Sequence, residues 1–231
     1  MTDARWVSHR DQAELATAMT ESMRLIIDRA VQARGQACLV LPGGQSPLPI
    51  FQRLSAALPD WRRVTIIPTD DRLVPPHDPL SNAAALMRCF APRGARVISL
   101  ADDALDYKQA GKAADDRLQK LAWPPDVAWL GMGADGHTAS IFHGPDLKEA
   151  LTTSARALGV RPDPLPKEAP VHRVSLSLAA LTAAPELIMA ISGEAKRAVL
   201  ERALAYGASS TLPIGRVLAA APGPVTLHWS P

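Results

Sequence analysis

Short apolar runs recur along this chain, and long amphipathic stretches separate them. ACLVL (37–41), VTIIPT (64–69), ARVISL (95–100), DVAWLGMG (126–133) and LIMAIS (187–192) are too short for buried helices. Continuous rather than alternating apolarity is the mark of a strand covered on both faces. Between the runs the period lengthens to that of a helix. Residues 11–33 place Leu15, Met19, Met23, Ile26 and Ile27 near one stripe, as an amphipathic helix requires. Strands alternating with helices imply a mostly parallel sheet with helices on both faces. The expected fold is α/β and Rossmann-like.

The same reading predicts helices over PLPIFQRLSAAL, from Asn82 to Phe90 with Ser81 as N-cap, over 106–121, and over GEAKRAVLERALA. PVTLHWS is a closing strand. After Gly144 the pattern changes. LTTSARALGV and VHRVSLSL read as strands around the Pro-rich loop RPDPLPKEAP, so 151–178 is expected to form a small antiparallel excursion. Nothing marks a linker or an internal repeat, and residues 1–231 are read as one domain.

Composition narrows the function. With 231 residues, 47% of them hydrophobic, a substantial core can form. Net charge is only +2, and the basic residues are scattered. A nucleic-acid partner is therefore not expected, because no Lys/Arg stripe can neutralise several phosphates together. A small anionic ligand remains compatible. Cys38 and Cys89 form no C-x-x-C pair and read as buried free thiols of a reducing compartment. MTDARWVSHRDQAEL has no apolar core of signal-peptide length, and no run approaches the roughly 20 residues of a membrane span. A cytoplasmic protein, monomer or homodimer, with no membrane partner is expected.

Four polar clusters follow predicted strands: Gly43-Gly44-Gln45-Ser46, Asp70-Asp71-Arg72, Gly131 to His137, and Gly193-Glu194-Ala195-Lys196. In open α/β sheets ligands bind outside the carboxyl ends of the strands, so these distant segments would share one edge. Glycines in PGGQSP permit positive φ and close approach to a ligand. Free N–H groups at the following helix start, with Ser46, suit a phosphate. No Gly-Lys-Ser/Thr follows, so it is not a Walker loop; taken alone it reads more readily as a tight strand–helix turn. Arg72 can grip phosphate through paired donors, and a neighbouring carboxylate can orient a hydroxyl or a side chain; the alternative is a local ion pair and N-cap. Lys196, in the first turn of a helix, sits unfavourably in the helix dipole unless an anion lies nearby.

GMGADGHTAS (131–140) has the Gly-x-Gly-x-x-Gly spacing of a dinucleotide turn but not its context. It follows the fourth predicted strand, no long helix comes after it, and position 156, where an acid would be required, is Arg. Asp135 would also stand against a pyrophosphate. Histidine is the better clue, since an imidazole exchanges protons near neutrality. His137, in a glycine-rich loop at the binding edge, is the candidate base. His9 and His228 lie near the termini, and His77, His143 and His172 lack comparable surroundings. No His/Cys/carboxylate set has ligand spacing, so neither metal nor cofactor is expected.

Together these segments resemble the family that joins 6-phosphogluconolactonases with glucosamine-6-phosphate deaminases. The resemblance rests on Leu41 to Pro47, on Asp70-Asp71-Arg72 with Ser81-Asn82, on Arg173-Val174-Ser175-Leu176, and on Gly193 to Arg197. Its most specific part is Gly131 to Phe142, similar to Gly-x-Gly-x-Asp-Gly-His-Thr-x-Ser-x-Phe. Gln45, Asp71 and His143 depart from the family's common residues. The deaminases carry a Glu five positions after the loop His, where this chain has Phe142, so the resemblance favours the lactonase branch.

That resemblance implies hydrolysis of 6-phospho-D-glucono-1,5-lactone to 6-phosphogluconate in the oxidative pentose phosphate pathway. His137 would act as general base, with Asp135 or Asp70 fixing its tautomer. Gly43, Gly44, Gln45 and Ser46 would cradle the phosphate with Arg72, Arg173 and Lys196. An isomerase or deaminase, and a non-catalytic sugar-phosphate sensor, are the alternatives. The chain shows no helix-turn-helix with a basic recognition face, which such a sensor would use for output.

Overall fold

The computed structural model describes residues 3–58, 60–101 and 105–231. Its strands are β1 (Ala4–Ser8), β2 (Ala37–Leu41), β3 (Val64–Pro68), β4 (Asp70–Arg72), β5 (Arg96–Val97), β6 (Val127–Leu130), β7 (Ala157–Val160), β8 (Arg173–Leu176), β9 (Glu186–Ser192) and β10 (Val225–Ser230). Seven of them form one sheet in the order β1-β10-β9-β6-β2-β3-β5, and every pairing in it is parallel. The other three make an antiparallel sheet, β4-β8-β7. This is the expected α/β architecture with its antiparallel excursion.

Helices α1 (Gln12–Arg34), α2 (Leu48–Ala57), α3 (Asn82–Phe90), α4 (Tyr107–Leu118), α5 (Leu147–Thr152), α6 (Leu178–Leu181), α7 (Glu194–Tyr206) and α8 (Pro213–Ala219) complete the fold. The boundaries of α1 have chemical causes. The Asp11 side chain accepts from the Glu14 N–H at its start, and Gly35 takes a left-handed conformation, φ 75°, at its end. Leu15, Met19, Met23, Ile26 and Ile27 are all buried. The two faces of the large sheet serve separate cores. Leu39 and Leu41 of β2 pack in the cluster that includes α1 and α2, while Val40 between them packs in the cluster beneath α4, α7 and α8. That alternation makes ACLVL continuously apolar.

Four expectations change. β1 was not predicted; it is a half-buried strand at the sheet edge, with no apolar run to announce it. ARVISL contributes only Arg96–Val97 as ladder, pairing with β3 alone. LTTSARALGV splits into the end of α5, a turn and β7, and VHRVSLSL is strand only over its central four residues. Asp70-Asp71-Arg72, expected only as a polar cluster following the strand VTIIPT, is itself the edge strand of the small sheet. Its polar side chains carry no strand pattern, and pairing with β8 supplies what propensity does not. Cys38 and Cys89 are free and half-buried, and burial pushes the Cys38 thiol up to about 12.

The strand order creates one switch point. From β2 the chain moves through α2 to β3, on one side. From β6, the other neighbour of β2, it moves to β9 in the opposite direction. Loops leaving the carboxyl ends of β2 and β6 therefore diverge and open a crevice between them. PGGQSP and GMGADGH are those two loops.

Candidate active site

A cleft of about 580 Å³ occupies this crevice. The expected residues Gly43, Gly44, Gln45, Ser46, Asp70, Arg72, His137 and Lys196 all line it. They come from the loops after β2 and β6, from β4 and from the start of α7.

The β2 loop turns its backbone toward the cleft. Gly44 has φ 90°, which only glycine adopts readily. Among the described residues, the N–H groups of Gly43, Gly44, Gln45 and Ser46 meet no protein acceptor. Gly43 must be glycine for another reason: a Cβ there would lie 2.0 Å from the Asn82 side chain. Asn82 in turn donates from Nδ2 to the Asp70 carbonyl at 2.9 Å, tying this loop to β4. Lys196, in the first turn of α7, makes no hydrogen bond or ion pair among the described residues and faces the cleft. Arg72 donates from Nη1 to the Leu80 carbonyl at 2.6 Å, leaving donors of its guanidinium free.

Asp71 points away from the cleft. It is fully buried under the N-terminus of α3, where Oδ1 accepts from the Arg72 and Asn82 amides and Oδ2 from the Ala83 amide and Ser81 Oγ. Burial raises its pKa to about 6 despite these bonds. Ser81 is the N-cap of α3, as expected.

The β6 loop holds the candidate base. Thr138 Oγ1 donates to the Gly131 carbonyl at 2.8 Å, and the Gly133 amide donates to the His137 carbonyl at 3.0 Å, folding the loop back on itself. Nδ1 of His137 lies 2.5 Å from Oδ1 of Asp135. The hydrogen bond to His137 holds the Asp135 carboxyl down at about 2, so it is ionised and accepts from an Nδ1–H. That tautomer leaves the Nε2 lone pair free as a base. Phe142 packs on the imidazole with ring centroids 4.3 Å apart.

Two expectations are revised. Asp70 has no contact with His137; its oxygens accept from Thr69, Asn82 and Ser140 instead. Of the two carboxylates, Asp135 is the one bonded to the imidazole. Arg173 does not line the cleft: it is 3% exposed, and Nη1 and Nη2 donate to the Val171 and Ala169 carbonyls. Burial and neighbouring Arg72 lower its pKa to about 10. It stands opposite Arg72 across the β4–β8 ladder and ties down the 169–171 segment that leads into β8. Gln12, at the start of α1, lines the cleft and was missed, because nothing in a solvent-facing helix start signals a site. His9 and His228, set aside as terminal, form a buried stacked pair with Nε2 and Nδ1 2.9 Å apart. Among the described residues no three His, Cys, Asp or Glu side chains gather to hold a metal, and no helix is long and apolar enough to cross a membrane.

A histidine paired with a carboxylate and a loop of free amides line one cleft at the switch point of an α/β sheet, the place where α/β enzymes hold their substrates. The chain belongs to the family described as glucosamine-6-phosphate isomerases/6-phosphogluconolactonase, whose model matches residues 10–229. It is 36% identical to the 6-phosphogluconolactonase of Mesorhizobium japonicum, covering 98% of this chain and 95% of that one. It is 37% identical to that of Pseudomonas aeruginosa, covering 98% and 93%. The crystal structure of a 6-phosphogluconolactonase from Shewanella baltica superposes with TM-score 0.91 at 30% identity over the full length of both chains.

Proposed function

We infer that this chain hydrolyses 6-phospho-D-glucono-1,5-lactone to 6-phosphogluconate, in the pentose phosphate pathway. The observation that carries the reading within its family is the ring of Phe142 against His137. The isomerising branch needs an acid at that place to relay protons. Ester hydrolysis needs only a base, a water and a stabilised oxyanion.

His137 Nε2 takes a proton from water as the oxygen attacks C1, forming a tetrahedral oxyanion. Collapse re-forms the C1 carbonyl and breaks the bond to the ring oxygen, which receives the proton from His137. The acid product ionises to the carboxylate. Positioned acid–base catalysis supplies roughly 10²–10⁴-fold, enough for a δ-lactone that already hydrolyses readily. Asp135 orients the imidazole and stabilises its protonated form. Lys196, Arg72 and the Gly43–Ser46 amides hold the remote phosphate, which positions C1 against the base. The enzyme works as one α/β domain, monomer or homodimer, in the cytoplasm.

The test is lactone disappearance with the spontaneous rate subtracted, for the wild type and His137→Ala. Acceleration by the wild type, with the variant near background yet still binding 6-phosphogluconate, is the expected result. A wild type that adds nothing to the spontaneous rate overturns the reading, and ammonia release from glucosamine 6-phosphate would then move this chain to the other branch.

A further inference from the structure

Asp70 lines the cleft, yet no proton-transfer role falls to it, since Asp135 holds the base. Its carboxylate is nonetheless heavily restrained. Oδ1 accepts from Thr69 Oγ1 at 3.0 Å and from Asn82 Nδ2 at 3.4 Å, and Oδ2 accepts from Ser140 Oγ at 2.6 Å. Ser140 is completely buried and lies three residues beyond His137 in the same loop. Its own amide donates to Ser175 Oγ at 3.1 Å, and that hydroxyl donates onward to the Leu176 carbonyl.

The backbone is bent to achieve this. Ala139 has φ 50°, the one non-glycine residue with positive φ among the described residues. A left-handed alanine costs roughly 1–2 kcal/mol, and strain of this kind persists only where the surroundings over-determine it. Here it turns Ser140 inward to Asp70 while Thr138 bonds Gly131 on the other side. One loop thus carries the base at His137 and clamps a second strand's carboxylate at Ser140.

A carboxylate fixed in a cleft wall accepts hydrogen bonds and donates none. It therefore selects hydroxyl groups, and a site built to bond a hydroxyl strongly rejects the analogue that lacks it. We propose that Ser140 is a positioning residue for specificity: its hydroxyl sets Asp70 at a fixed place relative to His137, and Asp70 reads a ring hydroxyl of the lactone. This rests on the lactonase reading above.

The experiment compares kcat/KM for 6-phosphogluconolactone with that for its 2-deoxy and 3-deoxy counterparts, made by chemical oxidation of the sugar phosphates. Wild type, Ser140→Ala, Asp70→Asn and the double variant are measured. A ratio between substrates is independent of how much of each preparation is folded. The wild type is expected to prefer the hydroxylated lactone over one deoxy lactone by at least about 100-fold, and Ser140→Ala to reduce that preference about tenfold through KM. In the Asp70→Asn background, Ser140→Ala should change the preference no further, because it acts through Asp70. Equal loss on every lactone in Ser140→Ala, or additive effects in the double variant, overturns the proposal and leaves the lactonase activity standing. A wild type inactive on every lactone overturns both.

Discussion

A Cβ placed on Gly133 would lie 2.2 Å from Cε1 and 2.3 Å from Nδ1 of His137. The glycine is in contact with the base through its missing side chain, and its φ is not left-handed. Gly133→Ala is therefore expected to fold normally while pushing the imidazole off its place. A displacement near 1 Å costs about 100-fold in rate. The check is a melting temperature within a few degrees of wild type together with that loss in kcat.

Asp135→Asn keeps the shape beside His137 and removes the charge. The amide can donate to Nδ1, which puts the proton on Nε2 and deprives the site of its base. A drop in kcat of about 100-fold or more is expected, with KM little changed, since a base acts in the transition state. Kinetics on the lactone, corrected for spontaneous hydrolysis, decide it. A kcat within a factor of three of wild type would remove Asp135 from the mechanism.

Lys196→Ala tests the phosphate assignment. Hydrogen bonds to charged groups contribute about 1.5–3 kcal/mol, so KM for the phosphorylated lactone should rise about 10–100-fold. Unphosphorylated glucono-1,5-lactone supplies the control. Its hydrolysis should be equally slow in both proteins, and equal losses on both lactones would place Lys196 elsewhere.

Two buried groups oppose each other in the pH dependence of stability. Asp71 has its pKa raised from 3.8 to about 6, first by burial, so the folded state binds its proton more tightly than the unfolded chain does. Its contribution is present at low pH and is lost as pH rises to about 6. His228 goes the other way: burial, then His9 and Arg5, lower it from 6.5 to about 4. Its contribution is present above 6.5 and is lost as pH falls toward 4. Each is on the order of 3 kcal/mol at 1.36 kcal/mol per pKa unit. Asp71→Asn should become more stable from pH 4.5 to 6.5, and His228→Asn less stable, both relative to wild type. Denaturant titrations at the two pH values measure the slopes, and parallel slopes in all three proteins would refute the assignment.

What the sequence made legible follows physical lines. Strands buried on both faces announce themselves by continuous apolarity, and Leu39-Val40-Leu41 is legible because each residue meets a core. His137 was legible because a titratable side chain in a glycine loop after such a strand has few structural reasons to exist. The roles of Asp70, Asp135 and Arg173 were not separable, because the same residue types serve as ligands, caps and braces. Only the partners tell them apart: an imidazole for Asp135, a serine for Asp70, two carbonyls for Arg173. β1 and Gln12 were silent for the opposite reason, since an edge strand and a helix start look like ordinary surface.

The switch point also decides when the site comes into being during folding. Its two loops, after Leu41 and after Leu130, become neighbours only through the pairing of Leu39 with Val127 and Val40 with Ala128. Nearly ninety residues separate those partners, so this closure is a long-range event that local helix formation cannot anticipate. A nascent chain that stops before β6 carries the residues of the amide cradle but neither His137 nor Lys196. Recovery of activity during refolding would thus report the closure of β6 onto β2, a contact that the local helices on either side cannot make for themselves.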